Sequence, residues 1–185
     1  MDIFEIIKSR RSVFPSQYNK EEIQQDELDK ILEAANWAPN HRQTEPWRFK
    51  IVKGHARLRL SDFLVSKLEE TDSSLSDFKR KKITSKFESS NVVIAICYQR
   101  DPKSRVPEWE EVSAVAMAVQ NMWLACTSLK IGSYWSSPSF RTLVDDFFNL
   151  EEGESCLGFF YMGKYDGILE EGFRKSSIQE KVTYI

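Results

Sequence analysis

Glycine is scarce in this chain, with 7 in 185 residues. None of them builds a Gly-x-Gly-x-x-Gly or a Gly-x-x-x-x-Gly-Lys loop, so the usual backbone cradles for nucleotide phosphates are missing. Histidine is scarcer still. His41 and His55 stand apart from every cysteine, which leaves no metal-ligand spacing, and no metal is expected. Cys97, Cys126 and Cys156 are odd in number, far apart and set in apolar runs. They read as buried thiols of a reducing compartment, not as a disulfide framework or a zinc site. No apolar run approaches membrane-spanning length. The N-terminus carries Asp2 and Glu5 and lacks the basic, apolar and small-residue series of a signal peptide. The formal net charge of −2 argues against a general nucleic-acid binder. There is no Gly-x-Ser-x-Gly elbow. Glu69-Glu70 and Glu110-Glu111 read as carboxylates on solvated helix faces, not as an opposed glycosidase pair. A cytoplasmic protein with neither nucleic acid nor membrane as partner is expected.

What is present suits one globular domain over residues 1–185, with 41% hydrophobic and 29% charged residues. Ile3, Phe4, Ile6 and Ile7 have helical spacing and predict a short amphipathic helix near residues 2–9. Leu28, Ile31, Leu32 and Ala35 predict a second helix from Asp26 to Trp37, ended by Pro39 and the polar run after it. Phe49 to Val52 reads as a strand and His55 to Leu68 as a helix. Glu69 to Ser90 is polar and reads as either a mobile helical excursion or a lid, with Ser73-Ser74 and Lys79 to Lys82 inside it. Asn91 to Tyr98 is apolar throughout, which predicts a strand covered on both faces. Glu111 to Leu129 is apolar nearly all round and predicts a central or subunit-interface helix. Tyr134-Trp135 suits a short strand, Ser139 to Phe148 a helix and Cys156 to Met162 a buried strand. The polar stretch from Gly172 to Ile185, dotted with Phe173, Ile178, Val182 and Tyr184, reads as a tail that packs on a partner.

Two segments carry chemistry. Ser9-Arg10-Arg11-Ser12 places two guanidiniums and a hydroxyl at the end of the first helix. That set can grip a phosphate through charge-assisted, bidentate hydrogen bonds. It can equally be a solvated basic cap, because cations are favoured at helix C-termini. The second segment is the polar, Pro-bounded stretch Ala38-Pro39-Asn40-His41-Arg42-Gln43-Thr44-Glu45-Pro46-Trp47-Arg48-Phe49, which joins a helix to a strand. On the residues alone, His41 reads either as a ligand contact or as a helix cap, Trp135 as a site or a core residue, and Arg174 as a site or a surface residue.

Taken together, these segments resemble the nitroreductase family of FMN flavoproteins, most closely its short bacterial NAD(P)H nitroreductase subgroup. The resemblance continues in chain order through Gln120-Asn121, Ile131-Gly132-Ser133-Tyr134-Trp135, Leu157 to Gly163, and Phe173-Arg174-Lys175-Ser176 with Glu180-Lys181-Val182. It implies an α+β fold: a central, mostly antiparallel sheet flanked by helices, in a homodimer that exchanges C-terminal arms of about residues 172–185. It implies that Arg10, Arg11 and Ser12 bind the FMN phosphate or ribityl chain, completed by Arg174 and Lys175. Asn40 and His41 would reach the flavin held mainly by the other subunit, and Trp135, Ser136 and Ser137 would lie beside its ring. It further implies ping-pong transfer of electrons from NADH or NADPH to a small acceptor such as a nitroaromatic or a quinone. The chemistry would reside on the cofactor, with no catalytic side chain. The same fold hosts dehalogenases and oxidases, and a non-catalytic flavin-binding protein is a further alternative. The chain departs from the subgroup at Ser136, where a cation is usual, and at Trp37, where a basic residue often sits.

Overall fold

A computed structural model describes residues 2–71 and 75–185. Its elements run α1 (Ile3–Ser9), α2 (Gln25–Asn36), β1 (Trp47–Lys53), α3 (His55–Thr71), α4 (Asp77–Ser89), β2 (Val92–Gln99), α5 (Glu108–Ser128), β3 (Ile131–Ser136), α6 (Asp145–Phe148) and β4 (Glu154–Lys164). The four strands form one sheet in the order β1-β2-β4-β3, and every pairing is antiparallel. This is the expected α+β architecture. No helix among the described residues is long and apolar enough to cross a membrane.

The sheet separates two apolar layers, and β2 lies between them. Val92, Ile94, Ile96 and Tyr98 pack with α2 and α5, while Val93, Ala95 and Cys97 pack with α3 and α4 on the other side. Alternation along a strand sends successive side chains to opposite faces. An unbroken apolar run therefore fits a strand covered on both sides, as here. In the first layer, α2 contributes Leu28, Ile31 and Ala35, and α5 contributes Ala114, Val115, Ala118, Val119, Met122 and Cys126. Acidic residues at Glu108, Glu110 and Glu111 begin α5 after Pro107. They suit the positive end of the helix dipole.

Two segments depart from expectation. From Leu75 to Ser90, the chain docks as part of the second layer and is not a lid. The fully buried Phe87 ring meets Phe159 and Tyr161 edge-on at 5.7 and 5.4 Å. One such ring contributes about 2–3 kcal/mol of burial, which outweighs the polar character that dominates the stretch. Ser73-Ser74 lie outside the described residues. Ser139 to Phe148 is not one helix either. A 3-10 turn at Ser139–Leu143 gives way at the buried Val144 to the single turn of α6. Phe140 and Leu143 before the break, and Phe147 and Phe148 after it, all pack on the second layer.

The segment after α1 lies along the edge of the sheet. Val13 N–H donates to the Ser133 carbonyl at 3.0 Å, and Asn19 N–H donates to the Lys164 carbonyl at 2.8 Å. Between them the Tyr18 ring presses on β4. A β-carbon at Gly163 would lie 2.5 Å from Tyr18 Cγ and 2.8 Å from its Cβ, the inflexible end of that side chain. Gly163→Ala is therefore expected to destabilise the fold by about 1–3 kcal/mol through overpacking. The urea-unfolding midpoint reads this directly, and an unchanged midpoint would show that the arm is not seated on β4.

Candidate functional site

Arg10 is the C-cap residue of α1, and its guanidinium stacks 4.6 Å above the Trp123 ring of α5. Trp123 is itself fixed, because its indole N–H donates to the Arg11 carbonyl at 3.2 Å and its ring meets Phe160 edge-on at 5.6 Å. Arg10 is half-buried. Burial, then the charges of Arg174 and Arg11, push its guanidinium below its ordinary value. Three like charges thus gather where α1 ends, a costly arrangement that an anion would relieve. Arg11 is already engaged. Its Nε donates to the Glu170 carbonyl at 3.0 Å, and Nη1 donates to the carbonyls of Lys8 at 2.6 Å and Arg10 at 2.8 Å. It thereby clamps the start of the C-terminal arm. Arg174, Lys175 and Ser12 are exposed.

The same surface continues onto β3. Val13 pairs with Ser133, and Trp135 follows two residues later, opposite Phe160. Trp135 is half-buried, and its indole N–H is buried without a hydrogen-bond partner. That N–H faces Gly158, whose backbone has φ +145°. A side chain there would lie 2.4 Å from the Ser136 carbonyl oxygen. Only glycine tolerates both that dihedral and that approach. Ser136 is half-buried and Ser137 exposed. Arg10, Arg11, Ser12, Arg174, Trp135 and Ser136 therefore lie along one edge of the fold. A cleft of about 940 Å³ lies beside this surface under residues 165–174. Lys8, Arg11, Lys130 and Arg174 line it, but Arg10, Trp135 and Ser136 do not.

Asn40 and His41 are elsewhere. Asn40 Oδ1 accepts from Glu45 N–H at 3.1 Å, closing a loop in which Arg42, Gln43 and Glu45 all take positive φ. Such conformations cost about 1 kcal/mol or more each outside glycine and persist where the surroundings over-determine them. Here the Arg48 guanidinium donates to the Glu45 carbonyl, and His41 Nδ1 lies 2.6 Å from Glu110 Oε2. Glu110 is in the first turn of α5, whereas Trp123 is thirteen positions further along. At 1.5 Å per residue the two clusters are about 20 Å apart along the helix. Within one chain they do not meet.

Several residues escaped the sequence reading. Glu110 and Glu111 are not decorations of a solvated face: Glu110 holds His41, and the buried Glu111 pairs with Arg100 and accepts from Asp101 N–H at 2.9 Å. Trp123 under Arg10 gave no signal beyond its place in an apolar helix. Asn121 donates from Nδ2 to the Ala34 carbonyl at 3.0 Å, the backbone-bonding role its position suggests. Trp109 is largely exposed, as is Trp37, whose Nε1 donates to Glu33 at 2.7 Å.

Residues 7–164 match the model of the nitroreductase family. The chain belongs to that family. The Escherichia coli K12 protein named "Putative NAD(P)H nitroreductase YdjA" is 28% identical over 167 residues, covering 88% of each chain. A nitroreductase-like family protein from Bacillus cereus superimposes with a TM-score of 0.83 at 27% identity, covering 100% of this chain and 96% of that one. A nitroreductase from Bacteroides fragilis with bound FMN shares the fold with a TM-score of 0.75 at 24% identity, covering 100% of this chain and 99% of that one.

The loop that leads into α5 is held by Asp101, whose carboxylate accepts from Arg105 Nε at 2.7 Å and from the Arg105 backbone at 3.0 Å. These hydrogen bonds hold its pKa down at about 2, below the ordinary 3.8. A depressed acid stabilises the fold above its ordinary pKa and loses that contribution as pH falls through the folded value. Asp101→Asn is therefore expected to lower stability at neutral pH and to flatten the decline between about pH 5 and pH 2. Unfolding curves across that range check it, and parallel curves for the two proteins would contradict it.

Proposed function

We propose that the chain is an FMN-dependent NAD(P)H oxidoreductase that works as a homodimer on small acceptors such as nitroaromatics or quinones. The observation that carries the reading is the gathering of Arg10, Arg11 and Arg174 at the end of α1, where the chain joins the edge strand that carries Trp135 and Ser136. The donor set fits FMN. A dianionic phosphate matches clustered guanidiniums with the Ser12 hydroxyl beside them, and a tricyclic ring matches an aromatic-edged strand end with few polar groups. Family membership supports the reading, as does the FMN bound in the Bacteroides fragilis protein of the same fold. Bound there, FMN would supply the redox chemistry of a ping-pong transfer from NAD(P)H to a small acceptor.

The protein's own groups bind and orient. Arg10 and Arg174 neutralise the phosphate, while Arg11, tied to the Glu170 carbonyl, keeps the arm and Arg174 close. Ser136, held by Gly158, and Ser137 offer polar atoms at the ring edge. Distance supports a two-subunit site. Asn40 and His41 lie about 20 Å along α5 from Arg10, so they can join a flavin site only across a two-fold axis. A stripe on α5 supports such an interface: Trp109, Ser113, Met117, Gln120 and Ser128 are exposed at helical spacing. Ile3, Phe4 and Ile7 of α1 are also uncovered, as are Phe173, Ile178 and Tyr184 of the arm. Apolar side chains exposed in such number mark an interaction surface, here for α5 and the arm of a second copy.

Purified protein is expected to be yellow, or to become so on FMN addition, and NADH or NADPH is expected to bleach it anaerobically. Arg10→Ala is expected to weaken FMN binding by about 10- to 100-fold, the worth of a charge-assisted contact. A colourless protein that takes up no FMN would sink the reading.

A further inference from the structure

Two thiols that the flavin reading leaves unused face each other inside the sheet. Cys97 of β2 and Cys156 of β4 are directly paired in the antiparallel register. Both side chains enter the second apolar layer, so they are on the same face. Directly opposed residues on antiparallel strands have Cα atoms about 4.5–5.5 Å apart, inside the window a disulfide bridges without backbone movement. Both thiols are free and buried. The third cysteine, Cys126, belongs to the other layer, across the sheet.

The register slips beside this pair. Ile96 is opposite Gly158 and Cys97 opposite Cys156, so Leu157 is the extra residue of a bulge. The Cys156 thiol lies 3.5 Å from the Gly158 carbonyl oxygen and donates to it. Gly158 in turn packs against the Ser136 carbonyl and the Trp135 indole nitrogen. The dithiol is therefore one residue pair away from the strand end assigned above to the flavin ring.

We propose that Cys97 and Cys156 form a reversible, peroxide-oxidisable dithiol whose disulfide bridges β2 to β4 and shifts the Gly158 bulge against Trp135-Ser136. The crosslink stands on the sheet alone, while its effect on cofactor binding rests on the flavin reading. The step balances with a hydroperoxide as oxidant. The Cys156 thiolate attacks one peroxide oxygen, forming a sulfenic acid and releasing hydroxide. The Cys97 sulfur then displaces that oxygen as water, so two thiols and one hydrogen peroxide give one disulfide and two waters. The order of events follows the environment. The neighbouring Cys97 favours the Cys156 thiolate, while Cys156 and burial push the Cys97 thiol up. Bulges redirect side chains and backbone next to functional sites, so a bond anchored at this one reaches Ser136 through a single contact.

The test exposes the reduced full-length protein, as purified, to hydrogen peroxide, then denatures and alkylates it and maps its peptides by mass. The expected result is a fall from three free thiols to one, with Cys126 still free, Cys97 and Cys156 peptides joined, and full return under dithiothreitol. Three surviving thiols, a crosslink between chains, or over-oxidation of Cys156 with Cys97 left free would overturn the proposal. Cys97→Ala should abolish the crosslink, and the wild-type map decides the matter even if that variant does not fold. FMN titration of both redox forms then reads the coupling, with affinity expected to fall about fivefold or more on oxidation. Equal affinities would overturn the coupling. A protein that crosslinks but binds FMN in neither form would leave the dithiol standing and remove the flavin reading instead.

Discussion

The Tyr18 ring is so close to Gly163 that no side chain fits between them, and the Val13–Ser133 hydrogen bond continues the same contact along β3. This seating of the N-terminal arm on the sheet edge fixes where α1 ends. Because α1 buries no residue of its own in this chain, the arm and the Arg10–Trp123 stack are what hold it in place. The arginine cluster therefore depends on a packing contact made by a tyrosine and a glycine, neither of which carries charge.

The cluster has an electrostatic cost as well as a position. Arg10 is half-buried on an indole with two further guanidiniums near it, and burial, then those charges, push its protonation equilibrium down. Arg11 offsets part of this by donating to three carbonyls. The remaining repulsion favours binding of an anion over a free state, which is the ordinary logic of a phosphate site. At the far end of α5 a different device operates. Three positive-φ residues are held by Asn40, Arg48 and the His41–Glu110 pair. One helix thus carries two prepared surfaces, one on each end, and a two-fold axis across that helix would bring opposite kinds together.

Much of the fold was legible because apolar patterning reports burial on both faces, as in β2 and α5. The breaks were less so. Phe140, Leu143, Phe147 and Phe148 have the spacing of one helical face, so the pattern gives no sign of the break at the buried Val144. Phe87 decides the fate of a segment whose other residues read as solvated, because one buried ring outweighs many exposed lysines. At the site, Arg10-Arg11-Ser12 was legible as a phosphate grip on residue type alone, but the division of labour was not. Whether a guanidinium meets ligand or backbone depends on which carbonyls the tertiary fold delivers, and Glu170 is 159 positions away from Arg11. Likewise Glu110 and Glu111 read as a surface pair until the loops bearing His41 and Arg100 are brought to them.

The central claim is that the guanidiniums at the end of α1 exist to hold a phosphate. Equilibrium titration with FMN and with riboflavin, which has the same ring system but no phosphate, tests it most directly. The account predicts that FMN binds about 100-fold tighter or more, as expected when two charge-assisted contacts are lost together. Equal affinity for the two flavins, or uptake of neither, would contradict it.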